Sequence, residues 1–212
     1  MKGMLLHPKF TKNNQQIFFS APVNGINSIF AMDLKNEKKL TAVTPDEEAY
    51  FPRPSSDGQF VVYQRNLNGK KEVVFFDRIE NKKEVIDIGM SPALSFDERF
   101  IAYTSKQSGS WDIFIYDRFT KVKKQITTHE ADEMAPTFAP DNSVSFASNS
   151  EGHFYIYKMI DGNWQRQTFD SNSDDYAPQY VGEMNFKQST LAPFIGAARS
   201  SFGTVMHKNK LY

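Results

Sequence analysis

Five prolines recur along the chain in similar company: Pro8-Lys9-Phe10, Pro52-Arg53-Pro54, Pro92-Ala93-Leu94, Pro136-Thr137-Phe138 and Pro178-Gln179-Tyr180. Their spacings are 44, 40, 44 and 42 residues, and the mean period of 42.5 divides the 212-residue chain into five. Such a period constrains a fold strongly, because each unit must be one supersecondary element that buries its apolar faces against copies of itself. Other positions keep phase with the prolines. Asn13, Asp57, Asp97 and Asp141 follow the first four by five residues, and Asp33, Asp77, Asp117 and Asp161 follow them by twenty-five. Gly25, Gly69 and Gly109 follow the first three by seventeen, with Gly152 one place early in the fourth. Asp and Asn accept hydrogen bonds from turn amides and Gly supplies positive φ, so each marks a turn.

Between the turns lie short apolar runs. Second strands are predicted at Ile17-Phe18-Phe19, Phe60–Tyr63, Phe100–Tyr103 and Val144-Ser145-Phe146, and third strands at Ile29–Met32, Val73–Phe76, Ile113–Tyr116 and Tyr155-Ile156-Tyr157. The runs are continuous rather than alternating, as expected of strands covered on both faces. The fourth strand opens with lysine pairs, Lys38-Lys39, Lys82-Lys83 and Lys123-Lys124, which discourage pairing at an outer edge. A four-stranded unit with a period of about 40–45 residues is a propeller blade. The sequence therefore predicts an all-β protein, a single β-propeller domain over residues 1–212 with five four-stranded antiparallel blades starting near 8, 52, 92, 136 and 178. Four are regular. In the fifth, Lys187-Gln188-Ser189-Thr190 occupies the expected apolar strand, so the C-terminal blade is degenerate. Two arrangements remain open: a closed ring whose last strand is Met4-Leu5-Leu6, or a piece of a larger ring.

The Trp-Asp and kelch signatures are missing from their usual places. However, residues 51–63, with Pro52-Arg53-Pro54-Ser55-Ser56-Asp57-Gly58, and residues 132–142, with Pro136-Thr137-Phe138-Ala139-Pro140-Asp141-Asn142, resemble the Pro-x-Trp-Ser-Pro-Asp-Gly repeats of TolB-like propellers. Blades of tricorn and prolyl-oligopeptidase propellers are similar. The resemblance implies a protein partner engaged near the channel mouth and a periplasmic setting. The segment Met1–Pro8 has too short an apolar core for a signal peptide, which leaves the cytoplasm as the alternative.

Charge adds a candidate site. The chain carries 25 Lys+Arg and 25 Asp+Glu, which argues against a nucleic-acid binder, and no apolar run is long enough to span a membrane. The charge is unevenly placed. Residues 44–51, 128–135 and 170–177, which join blades, contain acids and no Lys or Arg, whereas the turns into the fourth strands are basic. A dipolar disc follows, acidic at one mouth of the channel. Glu48, His129, Asp132, Glu133, Asp174 and Asp175 are the candidate binding residues there, for a basic peptide, a cation or a polyol. No zinc motif, nucleophile elbow, phosphate loop or EF-hand occurs. No cofactor is expected, although clustered carboxylates are also suited to Ca2+. The expected function is a monomeric, non-catalytic protein-binding or scaffold module. The alternative is a small carbohydrate-active or Ca2+-binding propeller enzyme, for which two mouth carboxylates would have to flank a glycosidic bond.

Overall fold

The computed structural model of the protein describes residues 5–35, 39–169, 174–180, 205–207 and 210–211. Four four-stranded antiparallel sheets follow one another, one for each regular repeat. Blade 1 contains β1 (Leu6–Phe10), β2 (Gln16–Val23), β3 (Ile26–Asp33) and β4 (Leu40–Ala42). Blade 2 contains β5 (Glu48–Pro54), β6 (Phe60–Leu67), β7 (Lys70–Asp77) and β8 (Lys82–Ile88). Blade 3 contains β9 (Met90–Leu94), β10 (Phe100–Ser105), β11 (Asp112–Asp117) and β12 (Lys123–Gln125). Blade 4 contains β13 (Glu133–Phe138), β14 (Val144–Ser148), β15 (Tyr155–Ile160) and β16 (Asn163–Arg166). Strands pair in sequence order within each blade, and the first strands of consecutive blades pack on one another around the axis.

Beyond blade 4, β17 (Gln179–Tyr180), β18 (Val205–His207) and β19 (Lys210–Leu211) form a small sheet in which β17 runs parallel to β18. That pairing departs from the antiparallel pattern of the four regular blades. Most of the expected fifth blade, including residues 187–190, lies outside the described residues. One detail of the expected ring closure is corrected. Leu6 pairs with Ser20 inside blade 1, so it opens an innermost strand instead of completing an outermost one; Met4 lies outside the described residues.

The continuous apolar runs serve two interfaces at once. On β6, Val61 packs with Phe18, Ile29 and Val74 between blades 1 and 2, while its neighbour Val62 packs with Ile101 and Tyr103 between blades 2 and 3. On β10, Ala102 joins Ile113 and Phe146 between blades 3 and 4. Alternation along a strand thus sends successive side chains to different neighbours. Each fully buried aliphatic or aromatic side chain contributes roughly 1.5–3 kcal/mol by leaving water.

The turn acids act as the repeat implies. Between first and second strands, Asn13, Asp57, Asp97 and Asp141 each accept the amide two residues on, at 2.9–3.1 Å. Gly69, between β6 and β7, has φ +75°, and a Cβ built there meets no atom within 4 Å. Gly69→Val should therefore destabilise through backbone strain alone, by roughly 1 kcal/mol or more. An unchanged melting temperature would count against that assignment of the turn.

One feature of the blades is absent from the sequence reading. His7, Phe51, Ser91, Ala135 and Ala177, each immediately before a repeat proline, all have φ of 51–53°. In the four regular blades the ladder between first and second strands shifts register at this point. The proline therefore marks a β-bulge in the innermost strand. A side-chain-bearing residue in this left-handed region costs of order 1 kcal/mol or more, so packing in the ring must hold it there. The bulge bends the strand and re-aims the residues after it.

Candidate functional site

The acidic loops hold the blades together before they do anything else. Asp132 Oδ1 accepts the Trp111 amide at 3.1 Å, and the Glu133 amide donates to the Trp111 carbonyl at 2.6 Å. One blade on, Asp174 Oδ1 accepts the Phe154 amide at 2.8 Å and the Asp175 amide donates to the Phe154 carbonyl at 2.8 Å. Trp111 and Phe154 are equivalent, as the repeat predicts, and each is gripped by an acidic pair. Asp174 also lies 3.5 Å from His153 Nδ1. At the corresponding position of blade 2, Glu48 accepts the Tyr50 hydroxyl at 2.9 Å, and Tyr50 in turn accepts Asn27 Nδ2 at 2.9 Å. The position four residues before Pro52, Pro136 and Pro178 thus anchors the preceding blade, with an Asp acting directly and a Glu acting through Tyr50.

Glu133 requires a correction. The sequence places it in a mouth loop outside the core, but β13 begins at Glu133, and its side chain is 0% exposed. The Ser148 hydroxyl donates to Oε1 at 2.9 Å, while Oε2 is buried without a partner. Burial pushes the carboxyl up to about 7, against the hydrogen bond from Ser148 and with the help of the negative charges on Asp112 and Asp132.

Outside Glu133, an open cleft of about 490 Å3 lies between the β10–β11 hairpin and the loop that joins blades 3 and 4. Ser108, Ser110, Asp112, His129, Glu130 and Asp132 line it. Asp112 is 1% exposed and accepts hydroxyls from Ser108, Ser110 and Thr127. The His129 ring packs 4.6 Å from that of Trp164. Structure therefore brings together His129 and Asp132 and sets Glu133 behind them. It places Glu48 and Asp174 against neighbouring hairpins. Asp112 and the two serines escape the sequence reading because they belong to the hairpin, whereas charge drew attention to the loop; their signal was position beside the repeat Gly109.

The dipolar disc is also corrected. Glu47, counted with the acidic mouth, binds Lys83, counted with the basic face, and accepts Tyr63 OH at 2.6 Å. Asp87 repeats this with Lys123 at 3.1 Å and Tyr103 OH at 2.7 Å. Loops joining outer to inner strands run along the gap between blades, within reach of long side chains. In the blade 3–4 sector the matching is different. Among the described residues, no Lys, Arg or His side-chain nitrogen lies within 4 Å of a carboxylate oxygen of Asp112, Glu130, Asp132 or Glu133. No group of three or more metal-ligating side chains converges among the described residues.

No family model matches the chain, and no curated protein does. Solved structures match well. TolB from Acinetobacter baumannii superposes with a TM-score of 0.71 at 19% identity, over 83% of this chain and 46% of that one. A putative TolB from Agrobacterium tumefaciens gives 0.70 at 18%, over 83% and 65%. An oligogalacturonate lyase from Vibrio parahaemolyticus gives 0.60 at 14%, over 77% and 52%. The fold is that of the TolB-like propellers. The chain spans about half to two thirds of the lengths of these proteins, and at such identities the likeness is one of fold.

Proposed function

We propose that this TolB-like propeller is a non-catalytic binding module that holds a basic segment of a partner protein in the cleft between blades 3 and 4. The observation that supports this is the unmatched charge. Earlier loops neutralise their acids with Lys83 and Lys123, while Asp112, Glu130 and Asp132 border an open cleft with no cationic nitrogen within 4 Å of their carboxylate oxygens among the described residues. Like charges held together repel one another, and a cationic side chain entering the cleft relieves that repulsion. Ser108 and Ser110 add hydroxyls, and the His129–Trp164 pair offers an apolar wall for a lysine or arginine stem.

The test is a titration of the protein with a hexalysine peptide at low ionic strength. Glu130→Gln combined with Asp132→Asn removes two charges yet leaves an amide oxygen to accept from Trp111. This double variant should weaken binding about tenfold or more, and added salt should weaken it in the wild type. Lys124→Glu, on the exposed outer strand, should leave affinity unchanged or slightly raised. Equal affinity for wild type and the double variant would remove the cleft from consideration. A second reading, a carbohydrate-active propeller, draws on the likeness to the oligogalacturonate lyase; cleavage of a polysaccharide panel by the wild type would favour it instead.

A further inference from the structure

On the axis of the ring, toward the face opposite the acidic cleft, lies a larger cavity of about 950 Å3. That volume falls within the range typical of small-molecule sites, roughly 300–1,000 Å3. Its wall repeats with the blades: Lys9, Arg53, Ala93, Thr137 and Gln179, each the residue after a repeat proline, all line it. The bulge before each proline turns this position inward. Two adjacent blades thus present cations to the cavity, and the two that follow present a small side chain and a hydroxyl.

Neither cation is matched. Lys9 Nζ donates to Gln179 Oε1 at 2.7 Å, and Arg53 Nε donates to the Pro92 carbonyl at 2.9 Å. Both Arg53 Nη groups are left without a protein acceptor among the described residues. No carboxylate there lies within 4 Å of either side chain. Glu98, the one acid in the wall, is taken up by the amide and hydroxyl of Ser56, and Lys12 adds a further positive charge at the rim. Burial depresses Lys9 to about 7, with Arg53 adding repulsion, and depresses Arg53 to about 10. His7, beside them, falls to about 4, through burial and then the charges of Arg53 and Lys9. Lys9 and Arg53 are both half-buried, and cations gathered in a shared cavity without a counter-charge repel one another.

We propose that the axial cavity is a binding site for a small oxyanion, a carboxylate or phosphate group gripped by the free fork of Arg53 and by Lys9. Two parallel N–H bonds from a guanidinium suit both groups, while the lysine acts as a point charge. Thr137 offers a hydroxyl to the same ligand, and Ala93 leaves it room. The site lies on different strands and a different face from the peptide cleft, and it stands or falls separately.

Calorimetric titration of the whole chain with citrate, and separately with inorganic phosphate, tests this at low ionic strength. At least one of the two should saturate a single site and raise the melting temperature, since a ligand of the folded state stabilises it by mass action. Citrate alone would identify a carboxylate ligand and phosphate alone a phosphate ligand. Arg53→Lys, which keeps the charge and loses the fork, should weaken binding about tenfold, and Lys9→Gln by a similar factor. Lys124→Glu should bind as wild type does. If Arg53→Lys fails to fold, Lys9→Gln alone decides the matter. Absence of binding by both anions, or wild-type affinity in Lys9→Gln, would overturn the site.

Discussion

At pH 8, Glu133→Gln should be more stable than the wild type, and its advantage should vanish below about pH 5. The carboxyl is raised from its ordinary value of 4.5 to about 7 in the folded protein. Between those values the folded state keeps a proton that the unfolded chain has lost. The contribution of Glu133 to stability therefore falls as pH rises from about 4.5 to 7, then levels off. The full shift corresponds to about 3 kcal/mol, and relaxation of the surrounding polar groups reduces this to roughly 1–3 kcal/mol. Glutamine has the same shape and carries no titrating proton, so the difference between the two profiles isolates this one group. Glu133→Ala should cost about 1–3 kcal/mol at pH 5, because it leaves the buried Ser148 hydroxyl without its acceptor. Urea unfolding at pH 5 and pH 8 measures both. Parallel pH profiles for wild type and Glu133→Gln would show that the residue is ionised throughout.

Asp87→Ala should cost about 2–4 kcal/mol, although Asp87 lies near the end of the outermost strand β8. Tyr103 is 0% exposed, and its hydroxyl donates to Asp87 Oδ2 at 2.7 Å. Lys123 pairs with the same oxygen, and Gln107 donates to the other at 2.7 Å. The carboxyl is held below its ordinary range by Tyr103, Lys123 and the Ile88 amide, which outweigh the opposing effect of burial. Removing it leaves a buried phenol and a cation without an acceptor. Tyr103→Phe should cost about 1 kcal/mol, and in the Asp87→Ala background much less, for a coupling of about 1 kcal/mol or more. Strict additivity of the two changes would show that the hydroxyl and carboxylate act independently.

Blade boundaries, strand order and turns were legible because they depend on local signals repeated in phase. Asp57 and Gly69 would be weak turn markers alone; their counterparts 40 and 44 residues away make them strong. The bulge was not legible. Proline normally steers the preceding residue toward extended backbone, so Phe51 and Ala135 at positive φ run against their local preference, and only the packed ring overrides it. Glu133 was misjudged for a related reason. A carboxylate three residues before the proline reads as a loop, whereas the innermost strand starts there. Lys83 and Lys123 were assigned to one face because the sequence shows which turn they follow but not how far their side chains reach between blades. The column Lys9, Arg53, Ala93, Thr137 and Gln179 was visible in the alignment of repeats, but its meaning depends on knowing that the residue after proline faces the axis.

The bulge also separates two kinds of inheritance. Backbone direction at each innermost strand is set by the left-handed residue and the proline that follows, and the next side chain adds nothing to that geometry. Five copies of one backbone accordingly carry lysine, arginine, alanine, threonine and glutamine at that place. In a chain whose units arose by duplication, the axial lining can drift one copy at a time while the scaffold stays under its own selection. Outside Ala93, which belongs to the packed core, new ligand preferences can then arise from single codons without the compensating changes that core alterations demand.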